Sequence, residues 1–282
     1  MRRLLLKSIR FHAGILALPA AVFLAIGFVL PLSRFLALAF TGAGGPFGTF
    51  KALATSEVYL RVFLNTVVVA SFVTAITVTL AWPVAYLLSR LRGYRFALVL
   101  YGVLFPLWIS VLVRSFSWML LLERNGPINR TLISIGLISE PLALLFNRTG
   151  ELIGMVHVML PYAILPLYAA MSRIDRRLLL ASDGLGAGLF DTFRHIYLPL
   201  SLPGLYGAAT FVFLPSLGFF ITPAMLGGAN AVTLSMLIST FVSERLEWDL
   251  AAAASMVLLA VTLVILGICS RLVPLGQEIG NR

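Results

Sequence analysis

Charged side chains make up only 11% of this chain of 282 residues, and acids are the scarcer sign, 11 Asp and Glu against 21 Lys and Arg. With 60% hydrophobic residues and a mean hydropathy of +1.00, the chain carries far more apolar surface than one water-soluble core could hide. A soluble globular fold is excluded, and lipid is the expected solvent. The single cysteine, Cys269, excludes an intrachain disulfide. Lys7 and Lys51 are the only lysines and neither follows a phosphate-binding glycine loop, so the chain is expected to be no ATPase and to bind no nucleotide or metal of its own. HExxH, GxSxG and paired carboxylates are missing, which removes the common hydrolase chemistries. No Asp or Glu falls deep in an apolar run, so ion-coupled carriers and proton relays lack their usual carboxylates.

What is present is a series of long apolar runs. About 20 apolar residues cross a hydrocarbon layer of about 30 Å. Six runs qualify, at residues 13–40, 64–89, 96–122, 152–172, 199–226 and 250–270, and they predict one transmembrane domain over residues 1–282. The first run follows the basic stretch MRRLLLKSIRFH but outlasts the apolar core of about 7–15 residues in a signal peptide, so it is expected to remain as a span. Positive residues alternate between the two sides. Arg2, Arg3, Lys7, Arg10, Arg90, Arg92, Arg95, Arg173, Arg176, Arg177, Arg194, Arg271 and Arg282 fall on one side, 13 positives against 4 acids, while the other side has 8 against 7. The richer side is cytoplasmic by the positive-inside rule, which places both termini in the cytosol and accounts for the net charge of +10 without nucleic acid.

Outer connections are long, and two carry short apolar periods (Ile128, Leu132, Ile135; Val232, Met236, Ile238) suited to half-buried interfacial helices. One inner connection is also long, residues 173–198. Ser172 and Asp175 predict a capped helix start, with the helix running to about Asp183 before Gly184, Gly186 and Gly188 stop it. In the helix that follows, Leu185, Leu189, Phe193 and Ile196 recur at spacings of 4, 4 and 3, predicting an exposed apolar ridge, and Pro199 and Pro203 mark re-entry to the membrane. The product is a helix-turn-helix in the cytosol.

Intramembrane polar residues supply candidates for a pathway. Arg114 lies about 27 Å along a straight third span, within reach of the outer interface, and His157 lies roughly 9 Å into the fourth. Asn65, with the Ser and Thr residues of the second and third spans, could line a polar route or bond across helices. Pro215, Gly218 and Pro223, around Phe219, predict a broken fifth span, and Pro161 and Pro166 a broken fourth. Asn129-Arg-Thr131 and Asn147-Arg-Thr149 match the glycosylation triplet.

The inner connection resembles the "EAA" loop of permease subunits in binding-protein-dependent ABC importers. In that pattern Glu-Ala-Ala, three residues, Gly and nine residues precede I-x-L-P. Here Gly186 is followed by nine residues and then Ile196, Tyr197, Leu198 and Pro199, while Leu180, Ala181 and Ser182 stand where Glu-Ala-Ala is usual. LNTVVVASFVTAITVTLAWPVAYLLSRLRG, FPLWISVLVRSFSW, LPYAILPLYAAMSRID and FVFLPSLGFFITPAMLGG extend the likeness over nearly the whole chain, to the first permease subunit of the spermidine/putrescine type. The resemblance implies an all-α integral membrane protein of the importer-permease (MetI-like) fold in a bacterial inner membrane, forming half of a pathway for polyamines or a related small solute. It also implies partners: ATP-hydrolysing cassette subunits, a second similar permease and an extracytoplasmic substrate-binding protein. Ala181, Ser182, Asp183, Leu185, Gly186, Ala187, Leu189, Phe193, Ile196, Leu198 and Pro199 would form the ATPase-coupling surface. A six-span channel or secondary carrier with a regulatory loop is the alternative.

Overall fold

A computed structural model describes residues 18–42, 44–228 and 231–272, excepting the side chains of Arg176, Asp183, Leu189 and Leu272. Its regular structure is helical: α1 (Leu18–Phe40), α2 (Gly48–Thr55), α3 (Glu57–Arg90), α4 (Gly93–Leu104), α5 (Val111–Leu122), α6 (Pro127–Ser134), α7 (Arg148–Met171) and α8 (Arg176–Gly184). Next, α9 opens as Leu189–Thr192, widens through a π-helical turn at Phe193–Tyr197 and continues as Leu198–Leu217. The last three are α10 (Ile221–Leu226), α11 (Leu234–Thr240) and α12 (Trp248–Leu272). Among the described residues, five helices are long and apolar enough to cross a bilayer, six if the bent pair Gly93–Trp108 and Val111–Ser134 counts as one crossing.

The pattern of α3 shows why it forms and what surrounds it. Thr66, Ala70, Val73, Thr77, Ala81, Ala85 and Leu88 recur every three or four residues and are buried, so one face is lined mostly by small side chains that allow close approach. The other face carries Leu64, Val68, Phe72, Leu80 and Leu87, all exposed, as a lipid-facing side must.

Two compact packing units emerge. Among the described residues, one comprises those up to Glu57 together with Ile238–Val257, the other those from Val58 to Leu237 together with those from Leu258 on. In the first, Ala39, Ala252 and Ala253 are fully buried beneath Phe35, Leu38, Phe50 and Leu53, and the Thr49 hydroxyl donates to the Ala39 carbonyl. Phe40, Phe47 and Phe50 pack ring to ring at 5.5–6.4 Å. In the second, α7 is the central helix and α9 is its principal neighbour. A side chain at Gly204 would strike the Ala170 methyl, and one at Gly154 would come within 2.6 Å of both Thr222 and Leu226, so glycine sets how closely α9 and α10 approach α7.

Several expectations change. The third span is not one helix. Pro106 sits in the 3₁₀ turn Phe105–Trp108, Ile109 and Ser110 are extended (ψ 131° and 138°), and the axis turns by 100°. The depth assigned to Arg114 along a straight helix therefore does not hold. Conversely, α7 runs unbroken through Pro161 and Pro166, held by neighbours over the face that carries Met155, Val158, Met159, Ala163, Ile164 and Leu167. The fifth span ends at Leu217, and α10 follows Gly218 as a separate helix. Asp175, not Ser172, caps α8: its Oδ1 accepts from the Arg177 N–H at 2.9 Å, while the Ser172 hydroxyl bonds back to Ala169 in α7. Short helices, α6 and α11, form where two of the connections carry apolar periods. Residues 13–17, and the basic residues Arg2, Arg3, Lys7, Arg10 and Arg282, lie outside the described residues.

Candidate functional site

The helix pair α8–α9 is built around one left-handed residue. Gly186 has φ +78°, and nothing lies within 4 Å of where its Cβ would be, so backbone conformation alone demands glycine there. Across the turn the Ser182 and Thr192 hydroxyls bond at 2.8 Å, with Ser182 only 7% exposed. The Ala187 N–H reaches back to the Ser182 carbonyl at 3.1 Å. These bonds make the pair one angled body rather than two independent segments.

Its tip is apolar and open. Leu185 is 88% exposed, Phe190 69% and Leu180 68%, with Ala181 also exposed and Ala187 half-buried. Phe193, expected on the exposed ridge, instead turns inward: its ring meets Trp82 of α3 edge-on at 5.1 Å and packs on the central core. Ile196 and Leu198 are half-buried and Pro199 is exposed. The ridge is therefore Leu180, Leu185 and Phe190 rather than a strict 4-4-3 series, because the π-helical turn shifts the register of everything before it by about one residue. The side chains of Asp183 and Leu189 lie outside the described residues.

The root of the pair is clasped by aromatics. Trp82 stacks on Tyr86 (5.7 Å, 7°), both meet Tyr197 edge-on (5.8 and 5.1 Å), and the Arg90 guanidinium lies 5.1 Å over Tyr86. The Tyr197 hydroxyl, in the π-helical turn, sits 3.2 Å from that of Ser89. These contacts tie the root of the pair to α3 as well as to α9.

The predicted pathway residues fall into separate places. Arg114, in the first turn of α5, is 6% exposed, and its Nε and Nη1 have no hydrogen-bond acceptor. Tyr162 and His157 lie within its electrostatic reach, and His157 meets Trp118 edge-on at 5.7 Å. Burial replaces the snorkelling geometry expected from a straight helix. Beside it Ser115 bonds Thr222 of α10 at 2.8 Å. Asn65 belongs elsewhere: its Nδ2 donates to the Val232 carbonyl at 2.8 Å and its Oδ1 accepts from Arg148. Pro215 and Gly218 are exposed, Phe219 packs on the core and Pro223 is buried.

A profile of the family described as binding-protein-dependent transport system inner membrane component matches residues 81–273. The chain belongs to this family. The permease is similar to the spermidine/putrescine transport system permease protein PotB of Haemophilus influenzae, 33% identical over 201 residues, covering 71% of this chain and 70% of that protein. PotB of Escherichia coli is 30% identical over 200 residues (71% and 73%), and the inner membrane ABC transporter permease protein YdcU of Escherichia coli is 33% identical over 180 residues (59% and 57%). Among solved structures, a bacterial ABC transporter involved in the import of the acidic polysaccharide alginate superposes with a TM-score of 0.76 at 19% identity, over 98% of this chain and 99% of that one. A second alginate transporter structure, with a pentasaccharide-bound periplasmic protein, gives 0.76 at 20% identity over 94% and 95%. The chain is thus a multi-pass inner-membrane permease subunit of an ABC importer with the importer-permease fold.

Three features of the permease escaped the sequence. Glu151, which falls just outside the predicted fourth span, is fully buried in the first turn of α7, with Arg148 3.8 Å away and no hydrogen bond to either oxygen. Its place near a helix N-terminus suits a negative charge. Asn129, 1% exposed, bonds Leu142 through both its amide nitrogen and oxygen, so it pins the loop between α6 and α7. Asn147 caps α7, its Oδ1 accepting from the Gly150 N–H at 3.0 Å. The Asn147 cap could have been read from its place just before an apolar run; the other two depend on long-range packing.

Proposed function

We propose that this permease forms half of the translocation pathway of an importer for polyamines or a related small solute, powered by separate ATP-hydrolysing subunits and fed by an extracytoplasmic binding protein. The observation that carries the coupling role is the exposed apolar tip on a rigid, bonded helix pair that runs directly into a membrane span. Leu180, Leu185 and Phe190 offer apolar area that water disfavours and a groove on an ATPase subunit would cover. The α8–α9 pair faces the cytosol with both termini, consistent with the clustering of Arg90, Arg92, Arg95, Arg173 and Arg177 at this end. ATP is bound and used by the partner; this chain supplies no nucleotide, metal or catalytic group.

A second, similar permease completes the pathway. Arg114 and His157 are the polar residues assigned to its wall: Arg114 is buried against its own chain with Nε and Nη1 unbonded, a costly arrangement that a purely structural site does not need. The polyamine assignment rests on the relatives of the spermidine/putrescine type.

Gly186→Val tests the coupling role. Valine resists φ +78°, so the turn should deform and uptake should fall at least tenfold in vesicles, while ATP hydrolysis and membrane insertion persist. Gly184→Ala, at a position free of positive φ and of neighbours within 4 Å, should transport normally. Undiminished uptake by the Gly186 variant would refute the lever reading.

A further inference from the structure

Three arginines from two separate connections converge on one cavity at the root of α8. Arg90 ends α3, Arg92 leads into α4 and Arg173 follows α7; with Ser89, Tyr197 and Asp175 they wall a space of about 520 Å³. That is within the range of roughly 300–1,000 Å³ typical of small-molecule sites. None of the three guanidinium groups makes an ion pair among the described residues. Asp175, the one acid in the wall, already has an oxygen engaged by the Arg177 N–H, leaving three positive charges against one negative. Arg90 lies 5.1 Å over Tyr86 and 6.0 Å over Tyr197, contacts to ring faces that use none of its N–H donors. The positive-inside rule accounts for arginines on this side. It does not account for their convergence on one concavity.

We propose that this cavity binds a phosphate-ester anion, held there as the headgroup of an anionic phospholipid. Arginine forks match phosphate oxygens, and basic pockets between spans on the cytoplasmic side suit such headgroups. A bed for acyl chains starts two residues beyond Arg92. Tyr94, Leu98, Tyr101 and Phe105, at spacings of 4, 3 and 4, form one stripe along α4 that is 76, 71, 64 and 59% exposed. An acidic side chain of the ATPase is the competing occupant. Leu185 lies ten residues beyond Asp175, about 15 Å along a helix, whereas Leu180 of the ridge adjoins Leu179 in the cavity wall. The acyl-chain bed along α4 is therefore what favours lipid, and a test of retained lipid separates the two. A lipid seated here would brace the junction between the spans and the helix pair. The proposal rests on the cytosolic placement of this end, and its test reads lipid directly.

The importer complex, purified with its ATPase and second permease, would be placed in nanodiscs of phosphatidylcholine with a minor share of phosphatidylglycerol, and retained lipid counted by native mass spectrometry. Wild type should hold phosphatidylglycerol, and Arg92→Gln with Arg173→Gln should hold it roughly thirtyfold more weakly, two arginines near a membrane contributing about 1 kcal/mol each. The paired lysine substitutions should retain it, which separates lost charge from a misfolded protein. Glycerol 3-phosphate or inorganic phosphate that displaces the lipid would support the anion site and assign it to a soluble phosphate; no displacement assigns it to lipid. Equal retention by wild type and the glutamine variant overturns the proposal. So does unaltered lipid with loss of the ATPase subunit from the variant, which would make the cavity a socket for an acidic side chain. Failure of the wild-type chain to bring down any ATPase would instead sink the importer assembly and leave the lipid result standing.

Discussion

Single residues here act through geometry more than through reactivity. Gly204 is the plainest case, since any Cβ would collide with Ala170 and drive α9 away from α7. Gly204→Val should lower the midpoint of thermal unfolding in detergent, overpacking of this kind costing about 1–3 kcal/mol; a midpoint equal to wild type would show that α9 can shift freely. Asn129 makes the same point with polar atoms. Asn129→Ala strips the Leu142 N–H and C=O of their partners, so the loop between α6 and α7 should become a site of proteolytic nicking while the spans stay intact. Neither role shows in the residue type alone: this Asn could have carried a glycan, and the glycine could have ended a helix. What decided each was a neighbour far away in the chain.

At the scale of elements, the clasp between α3 and the π-helical turn is what joins the helix pair to the bundle. Tyr197→Leu removes two ring contacts and the bond to Ser89, so vesicle uptake should fall several-fold per ATP hydrolysed, with expression and oligomer size unchanged. An unchanged ratio of uptake to hydrolysis would leave α9 as the sole lever. At the other end of the pair, Leu185→Glu places a charge on the 88% exposed tip and should reduce recovery of the ATPase subunit in pull-downs, without affecting insertion. The helix-turn-helix itself was legible from Asp175, Gly186 and the apolar spacing. Its exposed face was not, because Phe193 was counted outward on an ideal 3.6-residue period, and the wider π turn with Trp82 waiting beneath it turned the ring inward.

At the scale of the whole molecule, the distribution of charge predicts the orientation. Reporter fusions after Arg92 and after Gly186 should register as cytosolic, and a fusion after Glu140 as external; a reversed pattern would remove the coupling role altogether. Membrane residence, the approximate number of crossings and the family were all readable from apolar run length and from the loop spacing. The 100° bend after Pro106 was not. The same residue type lies within α7 at Pro161 and Pro166 without breaking it, so proline content alone could not separate the two outcomes.

The amino-acid sequence by itself determined that this chain resides in lipid and that glycine hinges a helix pair between two spans, because hydropathy and positive φ are local properties of composition and backbone. Only the tertiary structure decided that Arg114 and Glu151 are buried, that Phe193 faces inward, and that Arg90, Arg92 and Arg173 share one cavity. These depend on which helices cross closely and where one of them bends, and that is set by contacts between segments far apart in the chain.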